Sequence, residues 1–122
     1  MANAVTVLPL SGSTQGQAVK VVATSTPGTL IHTTGTSLTV LDQIWLYAFN
    51  SDTLARTLTI EFGGATAPDQ NIVASIPAQS GLTTVVPGLL LTGSGSVALT
   101  VKAFCGTANV VTVTGFCNRI TP

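Results

Sequence analysis

The side chains able to do chemistry are few enough to take one at a time. The 122-residue chain has one histidine, His32, in the run Thr29-Leu-Ile-His-Thr-Thr34, and two cysteines, Cys105 and Cys117. A metal cage built on several histidines, or a pair of catalytic histidines, is therefore beyond a single chain. His32 with Cys105 or Cys117 is the remaining combination for a zinc site or an activated thiol. Neither cysteine lies in a CxxC, and no acid stands at ligand spacing from His32, so a surface or simply hydrogen-bonded histidine is expected. No G-x-S-x-G elbow supports a Ser-His-Asp triad. Glu61, on the Thr side of an alternating segment, reads as solvated. Gly63-Gly64 and Gly93-Ser94-Gly95 link strands and do not open a helix, so they form no phosphate cradle. The expectation is no catalytic, cofactor-binding or metal-binding residue, no cofactor and no small-molecule substrate. The chain does not read as an enzyme.

The cysteines are an even pair, which invites a disulfide. With Gly106 to Asn109 taken as a hairpin loop, Cys105 falls opposite Val110. Cys117 then lies roughly 23 Å farther along at ~3.3 Å per residue, beyond the reach of a disulfide. Two free, half-buried thiols are expected.

Composition narrows the partners. Only 7% of residues are charged, against roughly 25% in an ordinary soluble domain, and the formal net charge is zero. Mean hydropathy is +0.57, so the polar surface must come from Thr, Ser, Gly, Gln and Asn. Solubility normally rests on dispersed charge, and a neutral surface of this kind is poorly defended against association. Nucleic acid is excluded as a partner by the absence of any basic cluster. The longest apolar stretch, Val85 to Leu91, is broken by Pro87-Gly88 and is far shorter than the ~20 residues of a membrane-spanning helix. Residues 1 to 10 have neither a basic region nor a sustained apolar one, so no secretory signal is read there and a cytoplasmic site of assembly is expected.

These features need elements to hold them, and the elements read as strands. Turn signals recur at Pro27-Gly28, Asn50 to Asp52, Gly63-Gly64, Pro68-Asp69, Ser80-Gly81, Pro87-Gly88, Gly93 to Gly95 and Gly106, with β-branched residues between them. The fold expected is all-β, an antiparallel β-sandwich of jelly-roll type with about eight short strands. Residues 1–17, with Pro9 and Ser11 to Gly16, read as a flexible N-terminal arm or an added edge strand, and residues 18–122 as one sandwich domain. Thr57 to Phe62 places Leu58, Ile60 and Phe62 on one face. Val97 to Phe104 turns Val97, Leu99, Val101 and Ala103 inward, and a last strand runs from about Val110 to Asn118. Pro77 and Pro87 belong at strand ends or edges.

Leu41 to Phe49 breaks the one-wet-face rule. Ile44, Leu46 and Ala48 share one face, while Trp45, Tyr47 and Phe49 share the other, and both faces are apolar. The second face is either covered by the arm or a long loop, or is a subunit interface, where aromatic residues are enriched.

The stretches Asp42-Gln-Ile-Trp-Leu-Tyr-Ala-Phe-Asn50 and Ala55-Arg-Thr-Leu-Thr-Ile-Glu-Phe-Gly-Gly64, with Ser75-Ile-Pro-Ala78, Val85-Val-Pro-Gly-Leu-Leu-Leu91, Val101-Lys-Ala-Phe104 and Val113-Thr-Gly-Phe-Cys-Asn-Arg-Ile120, resemble small virion structural proteins of tailed bacteriophages. The resemblance covers roughly residues 40 to 120. Within that group the chain most resembles a capsid decoration, or cement, protein. It implies a homotrimer on the outer surface of the capsid, bound to the major capsid protein and assembled in the host cytoplasm. Interface residues would then be Trp45, Tyr47 and Phe49 on the aromatic face, with Val5, Val7 and Leu8 in the arm adding a strand to a neighbour or docking in a groove. Three other roles fit less well. A tail, baseplate or fibre module would need an exposed recognition patch, and the loops Asn50 to Leu54 and Ala65 to Asn71 are plain. A surface pilin would need secretion. A sugar-binding sandwich would need more than Asp52, Asp69 and Asn71.

Overall fold

The structure, a computed structural model, describes residues 3–122. Residues 1 and 2 of the expected arm lie outside the described residues. The described chain is all-β. Its strands are β1 (Ala4–Pro9), β2 (Val19–Lys20), β3 (Thr29–Thr33), β4 (Leu41–Asn50), β5 (Arg56–Phe62), β6 (Asn71–Ile76), β7 (Thr83–Leu91), β8 (Thr100–Cys105) and β9 (Val111–Thr121). They form two antiparallel sheets, one in the order β1-β9-β4-β7 with the two-residue β2 also on β9, the other in the order β3-β8-β5-β6. With β2 set aside, the eight strands follow the interleaved order of a jelly roll, crossing between the sheets at every step except the β5–β6 hairpin.

The alternation of side chains explains why these segments pair as they do. In β4, Asp42, Ile44, Leu46, Ala48 and Asn50 are all buried, while the residues between them are half-buried. In β9, Val111, Val113 and Cys117 have the same inward phase. Leu58 and Ile60 of β5, Val101 and Ala103 of β8, and Ile31 of β3 face them from the second sheet. Each such aliphatic side chain contributes roughly 1.5–3 kcal/mol on burial, and a one-residue slip would turn the whole set outward. Register is therefore held by the core itself.

Three local expectations change. The strand expected from Val97 begins at Thr100, and Val97 is exposed in the preceding turn, where its amide donates to Ser94 Oγ. β8 and β9 are not a hairpin: they lie in opposite sheets, so Cys105 pairs with Leu58 and Cys117 with Ile44. Both thiols are free and fully buried rather than half-buried, because both point into the core. Pro87 is at an edge, as expected: it lies within β7, an edge strand, next to a shift in register against β4. A missing N–H is tolerated at such a position.

Ala4 to Pro9 is an edge strand on the chain's own β9, in unbroken register from Ala4 opposite Thr121 to Pro9 opposite Phe116. The chain then crosses to the second sheet. Leu10 enters the core, and Gly12 N–H donates to Ile31 O at 2.9 Å. A Cβ on Gly12 would lie 2.6 Å from the carbonyl oxygens of Leu30 and Ile31, so only glycine lets the crossing lie that close to β3.

Candidate functional site

Two features carry the polar and apolar peculiarities of the chain: a buried cluster between the sheets, reached by solvent at Arg119, and the outer face of the five-stranded sheet.

The cluster forms where β3, β4 and β9 converge. His32 Nε2 lies 2.8 Å from Asp42 Oδ2, with both side chains about 1% exposed. Arg119 closes the other side, donating from Nε to Asp42 Oδ1 and from a terminal nitrogen to Oδ2, each at 2.8 Å. This two-pronged arrangement matches guanidinium to carboxylate. On the far side of the imidazole, Ser11 N–H donates to His32 Nδ1 at 3.1 Å. A backbone amide can only donate, so Nδ1 must carry the lone pair. The ring is then the neutral tautomer with its proton on Nε2, directed at Asp42. Cys117 completes the group from β9.

The electrostatics follow from this packing. Burial alone would raise the Asp42 carboxyl. The hydrogen bonds from Arg119 and His32, together with their Coulomb attraction, outweigh it and hold the group below its ordinary value of 3.8. The Cys117 thiol is pushed up to about 12, first by burial and then by the charge and hydrogen bonding of Asp42. Arg119 is raised chiefly by its hydrogen bonds to Asp42.

His32, Asp42 and Cys117 each bring one donor atom within 4.8 Å of the others, the makings of a metal site. The geometry argues against one. A metal on Nε2 would move the ring proton to Nδ1, where it would meet Ser11 N–H head on. Both Asp42 oxygens are already held by Arg119, whose charge would face the metal. The cluster is a paired network that joins β3 in one sheet to β4 and β9 in the other. His32 is thus hydrogen-bonded, as one of the two expectations had it, but deep in the interior and not on the surface.

Sequence reasoning missed this cluster because sheet-to-sheet neighbours need not be near in sequence. Asp42 follows His32 by ten residues, and Arg119 follows Asp42 by 77. A signal was nevertheless present. Asp42 has the same parity as Ile44, Leu46 and Ala48, and a charge in phase with a buried face requires a partner. Glu61, expected to be solvated, is also buried, at 2% exposure. Thr26 Oγ donates to its Oε2 at 2.6 Å and Gly28 N–H to its Oε1 at 2.7 Å. The turn before β3 has folded over the Thr face of β5, which no strand periodicity foretells.

The second feature is the outer face of the β1-β9-β4-β7 sheet. Register aligns its outward side chains in rows: Val5, Ile120 and Leu41; then Val7, Asn118, Gln43 and Leu90; then Pro9, Phe116, Trp45 and Pro87. Tyr47 and Phe49 extend the apolar strip along β4, opposite Thr114 and Thr112. Trp45 stacks on Phe116, with ring centroids 6.1 Å apart and planes 16° from parallel. The indole covers Gly88, where a Cβ would lie 2.7 Å from its Cζ2. Val5 and Val7 are 61% and 69% exposed. Among the described residues along these rows, Lys20, opposite Thr112, is the one ionisable side chain other than Tyr47.

Five of the six residues expected at an interface therefore share one face: Val5, Val7, Trp45, Tyr47 and Phe49. Leu8 points the other way, level with Cys117. The aromatic face is not covered by the arm. β1 lies beside it in the same sheet and adds two exposed valines to it.

Comparison with models of protein families, with curated proteins and with solved structures returns no match for this chain.

Proposed function

We propose that this protein is a structural, non-enzymatic virion component, a capsid decoration protein of a tailed bacteriophage. In this reading it binds the outside of the shell through the major capsid protein and works as a homotrimer. The observation that carries the reading is the outer face of the five-stranded sheet. Its three rows from Val5 to Pro87 are apolar or amide-bearing and hold no full charge. Such a face gains by being covered, and with almost no charge it meets a copy of itself without repulsion. Repetition around a closed symmetry then multiplies a modest contact.

The polar chemistry supports a structural role as well. Each nitrogen of His32 already has a hydrogen-bond partner, and both oxygens of Asp42 are held by Arg119. Cys117 is buried with its thiol pushed up to about 12, which keeps it protonated and unreactive. These groups hold the two sheets together, and none is presented to a substrate.

The test is to mix the purified protein with empty heads that lack it, then measure occupancy and the rupture temperature of the shell. Saturable binding at symmetry-related sites, with a higher rupture temperature, is the expected result. Failure to bind heads, with the protein found instead on tails or host cells, would transfer the role to a tail or fibre module.

A further inference from the structure

A strand at the edge of a sheet presents a row of backbone groups with no ladder partner. Among the described residues, the two-residue β2 aside, those strands are β1 and β7 in one sheet and β3 and β6 in the other. Three of them are blunted by their own surroundings. Along β3, Gly12 N–H donates to Ile31 O at 2.9 Å, and Thr33 N–H donates to Ser11 Oγ at 2.7 Å. β7 is interrupted by Pro87 and by two shifts in register against β4. β6 keeps Ile72, Ala74 and Ile76 against the core, and its last carbonyl accepts from Asn50 Nδ2.

β1 has none of these protections. Among the described residues it pairs only with β9, in unbroken register, and it holds no charged side chain. Val5 and Val7 are exposed on the outer side. Ala4 and Thr6 have the inward phase of Leu8, yet both are exposed as well, so the second sheet does not cover this end of the strand. Pro9 removes one N–H, but only at the far end. From Ala4 to Val7 the strand is open along its edge and on both faces.

We propose that this edge is a strand-pairing site for a second copy of the chain, β1 against β1 in antiparallel sense about a twofold axis. The strand's own sequence argues for that occupant. Outward side chains stay on one face only if each residue meets one of the same parity. With Thr6 on the axis, Val5 meets the partner's Val7, Val7 meets the partner's Val5, and Thr6 meets the partner's Thr6. These β-branched pairs suit neighbouring strands, and no like charges oppose them. Ala4 then meets the partner's Leu8, so the overlap runs from Ala4 to Leu8 and leaves Pro9 outside it. An axis at Val7 would bring Pro9, without its N–H, into the ladder. An axis at Val5 would shorten the overlap. The pairing joins two five-stranded sheets into one and makes their outer faces continuous. It is a twofold contact through the edge, separate from the threefold assembly proposed above, and the two stand or fall independently.

Two measurements on the full chain test the pairing. In the first, Thr6→Cys and Ala4→Cys are oxidised mildly without denaturant; Cys105 and Cys117 are buried and do not compete. On the axis of an antiparallel pair the Cα atoms lie roughly 4.5–5.5 Å apart, within reach of a disulfide. The two Ala4 positions are displaced along the strands by about 13 Å at ~3.3 Å per residue. Thr6→Cys should therefore give a reducible dimer at least tenfold faster than Ala4→Cys.

In the second, sedimentation compares the natural chain with two double variants. Val5→Lys with Val7→Lys sets lysine opposite lysine, and Val5→Lys with Val7→Glu sets lysine opposite glutamate. The first should raise the dissociation constant of the dimer tenfold or more, and the second should recover most of that loss. Equal cross-linking at the two cysteine positions would overturn the pairing, as would equal loss in both charged variants. A natural chain that stays monomeric, with Thr6→Cys uncross-linked, would leave the edge to a strand of another protein. Trp45→Ala separates this contact from the outer face. Added to Thr6→Cys, it should leave the cross-link intact, and its loss would assign the association to the face instead.

Discussion

Arg119 grips Asp42 with two nitrogens, each 2.8 Å from a carboxylate oxygen, across 77 residues of sequence. The pair lies between adjacent strands β9 and β4 and turns inward to the edge of the core, where His32 meets it from the opposite sheet. In a chain with eight charged side chains, this is an expensive place to put two of them. Each is acceptable only because the other is there.

The order of mutational effects follows from exposure. Asp42 is fully buried, whereas the Arg119 side chain is 31% exposed and can regain water when its partner is lost. Asp42→Asn should therefore cost about 3 kcal/mol, the low end for breaking a buried pair. Arg119→Met should cost more, because it leaves a buried carboxylate with only neutral His32 beside it. Urea denaturation of the two variants measures this. A smaller loss in the Arg119 variant would mean that the ion pair is not what holds Asp42 in place.

Acid should remove this contribution late. Asp42 is held below 3.8 in the folded state. A depressed carboxyl stabilises the fold above its unfolded value, and the gain is lost as pH falls through the lower folded value. Stability attributable to Asp42 should thus be intact at pH 5 and decline only under more acidic conditions than an ordinary aspartate requires. The difference in unfolding free energy between the natural protein and Asp42→Asn, measured from neutral pH downward, should shrink in that range and not before.

The turn over β5 is tied to that strand through a single carboxylate. Thr26 and Gly28 both donate to Glu61, one to each oxygen. Glu61→Ala removes two charge-assisted bonds, worth about 1.5–3 kcal/mol each at most. The main effect should be local: the Gly28 amide should exchange much faster, while amides in β4 keep their protection. Loss of protection throughout the molecule would show that this turn is part of the global fold and not an outer flap.

The thiols offer a direct check on the core. Cys105 and Cys117 are buried and unpaired, and Cys117 is pushed up to about 12. A thiol reagent at pH 8 should find neither in the folded protein and both after denaturation, without prior reduction. Rapid labelling of the native protein would contradict the burial of both β8 and β9 residues.

What could be read from the sequence, and what could not, divides along the range of the forces involved. Strand alternation is local, so Leu58 and Ile60, Ile44 and Leu46, and the opposed aromatic set on β4 were legible directly. Val97 was misplaced because alternation continues past a strand's end, whereas pairing with β3 and β5 does not. The meeting of His32, Asp42 and Arg119 is set by the jelly-roll crossing, which brings β3 over β4 and β9. Parity announced only that Asp42 needed a partner. Glu61 gave no warning, since its cover comes from a turn more than thirty residues earlier.

The outer face makes the last and most consequential prediction. Trp45 stacks on Phe116 between Pro9 and Pro87, at the middle of a four-strand apolar row. Its face is turned away from the core, so Trp45→Ala should leave most of the monomer's packing in place. Aromatic side chains at the centre of an interface typically carry 2 kcal/mol or more of its binding energy, roughly a thirtyfold change in affinity. If copies associate through this face, the variant should sediment as a smaller species at concentrations where the natural protein is assembled, and should lose heat resistance with it. Val73→Ala, exposed on the other sheet, should change neither. A Trp45 variant that stays fully assembled and equally heat-resistant would remove this face from the assembly, leaving the stack of Trp45 on Phe116 as internal cover for Gly88 and nothing more.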